Sequence, residues 1–193
     1  MEQTAAQTGE ALPGRECGTC NVCCVALTIK DPELQKPQGY RCHHLTADHR
    51  CGIYETRPTT CRRFDCGWRI LKWVRPTLRP DRSGVLVRAH LERSAATKSD
   101  KPGIIVTLLS RSALKAEGLA ETVAAAVSAG APVWVHIPGP PGYTAGVARL
   151  DHALLGPVLA LDKAAVLEVL RQAYRTGKAG KFEPLRLEGP AEA

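Results

Sequence analysis

Apolar residues are unevenly placed along the 193-residue chain. From residue 17 to 68 few aliphatic side chains occur beyond Val25-Ala26-Leu27 and Ile29, and no helical or strand period runs through them. From about Val85 the texture changes. GVLVRAHLE (84–92) and GIIVTLLS (103–110) are rich in Val, Ile and Leu and predict two strands separated by the polar loop SAATKSDKP. Ala116, Leu119, Ala120, Val123 and Val127 recur at near-helical spacing and predict a helix over 112–129, ended by Gly130 and Pro132. PVWVHI (132–137) and YTAGVARL (143–150) predict two further strands, joined by the turn-forming PGPPG. A last helix is expected to begin after Asp162 as its N-cap and to run to about Thr176, with Gly177 past its end. Its apolar face is Val166, Leu167, Leu170 and Ala173-Tyr174.

The order β-β-α-β-β-α implies an α+β class, with helices packed on one face of a largely antiparallel sheet. Ahead of it stands a part with little regular structure and too little apolar material for an ordinary core, so another force must hold it together. Five regions follow: a polar tail expected to be disordered (1–16), a cysteine region (17–68), a basic connector (69–83), the α+β part (84–177) and a C-terminal tail (178–193).

Composition narrows the class. Hydrophobic residues make up 44% and charged residues 23%, as in an ordinary folded domain, and nothing approaches the run of about 18 to 20 apolar residues that spans a bilayer. MEQTAAQTGEALPGRE has no apolar core of a signal peptide, so a reducing cytoplasm without membrane association is the expected compartment. The formal charge of +7 sits wholly after Cys66, because residues 1–66 carry eight Lys or Arg against eight acidic residues. Metal-bound thiols are thiolates, which would cancel much of that excess, so nucleic-acid affinity does not follow from it.

Residues 62–82 carry seven basic residues against two acidic ones, with Trp68, Trp73 and Val74 interleaved. The favoured reading is a connector whose aromatics dock on the core while its arginines stay in water. A basic surface for an acidic partner, RNA included, is the alternative.

All eight cysteines fall within 17–66: Cys17, Cys20, Cys23 and Cys24 as C-x2-C-x2-C-C, then Cys42, Cys51, Cys61 and Cys66. A C-x2-C pair lets two thiolates converge on one metal while backbone N–H groups point at the sulfurs, and Gly18 eases the turn. Successive side chains diverge, so Cys23 and Cys24 are not expected to serve one metal from the same side; a second site, or a redox or structural role for one of them, follows. A disulfide framework suits an even count but not the expected compartment, and inert core cysteines would be scattered along the chain. Metal ligation accounts for the clustering, the spacing and the scarcity of apolar residues together. His43, His44 and His49 are weaker ligand candidates, because eight thiols do not need them. In CGIYETRPTTCRRFDC, Pro58 fits a helix start and Cys61 its first turn, where the dipole would favour a thiolate. Arg57 is placed to balance the charge of a bound cofactor or to donate hydrogen bonds to sulfur.

Cys17-x2-Cys20-x2-Cys23-Cys24, Cys42 and Cys51-Gly52-Ile53-Tyr54-x2-Arg57-Pro58-x2-Cys61 resemble the CxxCxxCC cysteine-cluster proteins, described as zinc- or iron-chelating domains. The likeness covers about a quarter of the chain. It implies metal binding in a cytoplasmic, bacterial-type protein, with no assigned reaction for most members, and Cys66 is the more variable ligand position. Eight thiols satisfy either two four-coordinate zinc ions or one four-iron cluster with thiols to spare, and the compact triplet leans toward iron–sulfur.

A structural, carrier or electron-transfer role with a protein partner is the leading functional reading. A metal-dependent enzyme and a zinc-stabilised nucleic-acid module are the alternatives. No G-x-S-x-G, P-loop or G-x-G-x-x-G motif supports a separate catalytic centre, and Asp151-His152 reads as a turn.

Overall fold

The computed structural model describes residues 11–64, 66–93 and 100–187. The cysteine region is built from single turns and one small hairpin. In chain order these are α1 (Val22–Ala26), β1 (Ile29–Asp31), β2 (Leu34–Lys36), α2 (Thr59–Arg62) and α3 (Gly67–Ile70). The antiparallel hairpin pairs Ile29 with Lys36 and Asp31 with Leu34, and it buries those four while Lys30 and Gln35 face water. Buried Asp31 is satisfied by the backbone N–H groups of Glu33 at 3.1 Å and Thr60 at 3.0 Å, which fastens α2 to the hairpin.

The basic stretch then crosses to the sheet through a 3-10 turn (Pro76–Leu78) and α4 (Pro80–Ser83), ended by Gly84 in the left-handed region. Trp68, Val74 and Leu78 are buried in the main core, whereas Trp73 stays partly exposed. The Trp68 indole N–H donates to the Pro76 carbonyl at 2.9 Å.

The main sheet runs β3 (Val85–Arg93), β4 (Asp100–Leu108), β5 (Val133–Ile137), β6 (Gly146–Arg149), in that spatial order. β3 and β6 pair antiparallel with their neighbours, while β5 lies parallel to β4. The parallel pair needs a crossover, and α5 (Leu119–Ser128) supplies it. α6 (Asp151–Leu159) and α7 (Lys163–Ala179) complete the helical layer. One sheet face, with Val85, Val87, Ile104, Val106, Val133, Val135 and Ile137, meets Leu119, Val123, Leu154, Val166 and Leu170 in a continuous core. The α+β class and the mostly antiparallel sheet agree with the sequence.

Several boundaries differ from the expectation. The helix predicted from 112 starts only at Leu119, after a 3-10 turn over Arg111–Lys115. Gly118 is left-handed, and a Cβ there would lie 2.6 Å from the Cβ of Arg75, so the connector presses into the chain at that break. The strand predicted from 143 begins at Gly146, and Asp151-His152 opens α6 instead of forming a turn. Gly156-Pro157 disguised that helix, although Leu154 and Val158, one turn apart, both reach the core. The last helix runs through Gly177 to Ala179, because Gly177 is a packing position and not a C-cap: a Cβ there would lie 2.7 Å from Ile137 Cγ1.

Described parts of both tails bond to the body of the protein. Residues 1–10 and 188–193 lie outside the described residues, but Leu12 donates its N–H to Arg69 O at 2.8 Å. Arg15 Nη1 donates to the carbonyls of Trp68, Leu71 and Val74 at 2.8, 3.2 and 2.9 Å. At the other end, Leu185 N–H donates to Gly142 O at 2.7 Å, and Thr144 N–H to Glu183 O at 2.8 Å.

Candidate metal centre

All eight cysteines line one cavity of about 130 Å³, and none is in a disulfide. The turn Cys17-Gly18-Thr19-Cys20 closes with the Cys20 N–H on Cys17 O at 2.8 Å, and Gly18 takes a φ of 51° that makes the tight turn affordable to the backbone. α1 presents Cys23 and Cys24 as consecutive residues, which a helix turns about 100° apart. Their sulfurs are 3.9 Å apart and face different neighbours.

Two neighbourhoods of four result. Cys66 feels the charges of Cys17 and Cys20, and Cys23, after that of its neighbour Cys24, those of Cys17 and Cys66. Cys61 in turn feels Cys24, Cys42 and Cys51. Packing agrees: Cys24, Cys42 and Cys61 share a small apolar cluster with Ile29 and Leu34, whereas Cys66 belongs to the main core. Cys42 is drawn in by its N–H on Cys24 O at 3.1 Å, Cys51 by a bridge to Leu45, and Cys61 by α2. Cys66 sits in a backbone bridge with Arg88 of β3, so the last cysteine is positioned by the sheet.

Burial is the largest influence on the thiols of Cys20, Cys61 and Cys66. It pushes Cys66 up to about 11 against the pull of the Arg69 and Trp68 N–H groups, and raises Cys20 against the Val22 N–H. Within the adjacent pair, the hydrogen bond between the two sulfurs, with the charges of Lys36 and Arg57, brings Cys24 down to about 7 while Cys23 is held well above the ordinary thiol value. Cys61 departs from expectation. Its helix has four residues, too short for its dipole to matter much, and burial together with Cys24 and Cys42 raises the thiol, with Arg57 opposing.

Arg57 stands at the cavity wall, its guanidinium carbon 3.8 Å from the Tyr54 ring centroid and its Nε on Tyr54 O at 2.8 Å. Sequence reasoning missed Lys36. Its side chain is buried, and Nζ donates to Val25, Leu27 and Pro37 carbonyls at 3.0, 2.7 and 3.0 Å. It lies within electrostatic reach of Cys42, Cys24, Cys23 and Cys61. The one available signal was the alternation of Leu34-Gln35-Lys36 in a strand whose other face is wet.

The residues suit a thiolate-bound group. N–H groups point at Cys20 and Cys66, two cations face the Cys24 neighbourhood, and Arg69 Nε is buried on the cavity wall with no hydrogen-bond partner. Among the described residues no group of three or more His, Cys, Asp or Glu side chains stands in an arrangement that could hold a metal ion. His44 and His49 line the cavity; His43 is not on its wall but stacks on His44 at 4.0 Å. His49 Nδ1 is 3.2 Å from Asn21 Nδ2.

An α+β protein with eight thiols around one cavity is the class that fold and site define. Over 51 residues the chain is 39% identical to the UPF0153 protein PA1578.1 of Pseudomonas aeruginosa, a match covering 23% of this chain and 61% of that relative. This partial likeness supports the resemblance to cysteine-cluster proteins. No protein-family profile matches the chain, and no solved structure matches it significantly. Among the described residues no helix is long and apolar enough to cross a membrane.

Proposed function

We propose that the cysteine region binds two metal ions, one through Cys17, Cys20, Cys23 and Cys66 and one through Cys24, Cys42, Cys51 and Cys61. The observation that carries the reading is the division of eight thiols lining one cavity into neighbourhoods of four. Four thiolates close a tetrahedral shell, which is the chemistry of a structural or carrier site. The division leaves no spare thiols, which moves the balance from one iron–sulfur cluster toward two zinc ions, although a four-thiolate shell satisfies either. Lys36 and Arg57 would offset the negative charge of the second shell, and backbone N–H groups would support the sulfurs of the first. The role is then structural, carrier or, with iron, electron transfer, with the α+β part offering a surface to a protein partner.

Anaerobic purification followed by elemental analysis, acid-labile sulfide and a visible spectrum tests this. Colourless protein with about two zinc per chain is expected, falling to about one in Cys66→Ser and likewise in Cys61→Ser. Brown protein with near-equal iron and sulfide makes it an iron–sulfur protein. A chain purified and reconstituted without retaining any metal refutes the proposal.

A further inference from the structure

The second face of the main sheet is unlike the first. On it stand Arg88 of β3, Thr107 of β4 and Trp134 and His136 of β5, and polar atoms of all four are buried without a hydrogen-bond partner: Arg88 Nε, Thr107 Oγ1, Trp134 Nε1 and His136 Nδ1. A cavity of about 370 Å³ opens against Arg88 and His136. Its opposite wall comes from the cysteine region, through Leu27, Thr28 and Gln38, and its end from Val147 and Leu185. Leu27 and Thr28 also line the cysteine cavity, so the two cavities share a wall.

Arg88 is half-buried, its Nε fully so, and a guanidinium keeps its charge at any pH a protein meets, so this burial is not relieved by losing a proton. Among the described residues no carboxylate pairs with it. A buried, unpaired charge costs several kcal/mol unless something compensates it, and water supplies hydrogen bonds but no counter-charge. His136 does not add to the positive charge: burial and the nearby guanidinium hold it neutral, at about 4, so its ring has an N–H to give and no charge to be balanced.

We propose that this cavity binds a small organic anion, with an oxyanion head group on Arg88 and His136 and an apolar body against Leu27, Val147 and Leu185. The volume is in the range of small-molecule sites, and a planar guanidinium suits the two oxygens of a carboxylate or phosphate. Because Leu27, Thr28 and Gln38 of the cysteine region form one wall, the test uses the protein as purified, with that region intact.

The test uses the full chain labelled with nitrogen-15, titrated with inorganic phosphate or succinate at constant ionic strength with chloride as the balancing anion. Saturable shifts at the Arg88 Nε–H and at the Leu27, Thr28 and Val147 amides support the site. A response to phosphate alone defines a phosphate-type head group, to succinate alone a carboxylate, and to both a general oxyanion site. Arg88→Gln, which keeps the main-chain bridge to Cys66, should weaken binding at least about tenfold, and His136→Gln less. Shifts that never saturate beyond the chloride control overturn the proposal. So does saturation with the same affinity in Arg88→Gln, or, should that variant not fold, in both Arg88→Lys and His136→Gln.

Discussion

His136 makes the protein's stability depend on mild acid in a way that one substitution isolates. The ring sits on β5 between Thr107 and Val147, half-buried, with Arg88 the charge acting on it among the described residues, and is held from its ordinary 6.5 down to about 4. Above the ordinary value both folded and unfolded chains carry a neutral ring, and nothing is lost. Between 6.5 and about 4 the unfolded chain takes up a proton that the folded one refuses, so stability falls as pH falls. Each tenfold is about 1.4 kcal/mol, so the full loss is about 3 kcal/mol, complete once the folded ring also protonates. Carboxylates held low by their partners, such as Asp31 and Glu168, also cost stability in acid, but they are common to wild type and variant and cancel in the comparison. Urea unfolding followed by tryptophan fluorescence, in phosphate-free buffer from neutral pH to about pH 4, compares wild type with His136→Gln. The wild type should lose about 3 kcal/mol more than the variant over that range. Parallel stability profiles would refute the reasoning, because they would mean that His136 titrates alike in both states.

Other perturbations test the packing. Lys36→Met leaves three carbonyls without their ammonium donor and should destabilise the chain by about 2–4 kcal/mol in urea unfolding, with a cost under about 0.5 kcal/mol speaking against the buried clamp. Gly177→Ala, which would stabilise an exposed helix, should instead lower the thermal midpoint by several degrees, since the new methyl meets Ile137. Asp162→Ala removes the side-chain acceptor of the Ala165 N–H at 2.9 Å and should cost about 1 kcal/mol, read as a lower urea midpoint with an unchanged slope.

The α+β part was legible because its elements are long enough for a period to show. Val133, Val135 and Ile137 alternate with Trp134 and His136, and Val166, Leu170 and Ala173 recur on one face of α7. What escaped depended on contacts distant in sequence. Gly177 looks like a helix stop until Ile137 and Gly146 are seen beneath it. Gly156-Pro157 looks like a breaker although α6 continues through it. In the cysteine region, the spacing of Cys17, Cys20, Cys23 and Cys24 announced a cluster, and the divergence of Cys23 from Cys24 followed from helix geometry. Which of the later cysteines joins which set did not, because Cys42 is placed by its N–H on Cys24 O, Cys61 by α2 fastened to the hairpin and Cys66 by β3. Lys36 was hidden for the same reason: a lysine in a short strand reads as solvent-facing until three carbonyls are found around its tip.

The bridge from Cys66 to Arg88 has a consequence for the fate of damaged chains. β3 is the end strand of the main sheet, nine residues long and rich in Val and Leu, and a strand of that kind is an open template for a neighbour's backbone. The bridge and the α3 turn lie along its outer side, so the cysteine region is also an edge guard. Were the cysteine region to come away from β3, that edge would be uncovered while the helices and the rest of the sheet remained. Aggregation, ahead of unfolding, would be the first sign of a failed cysteine region.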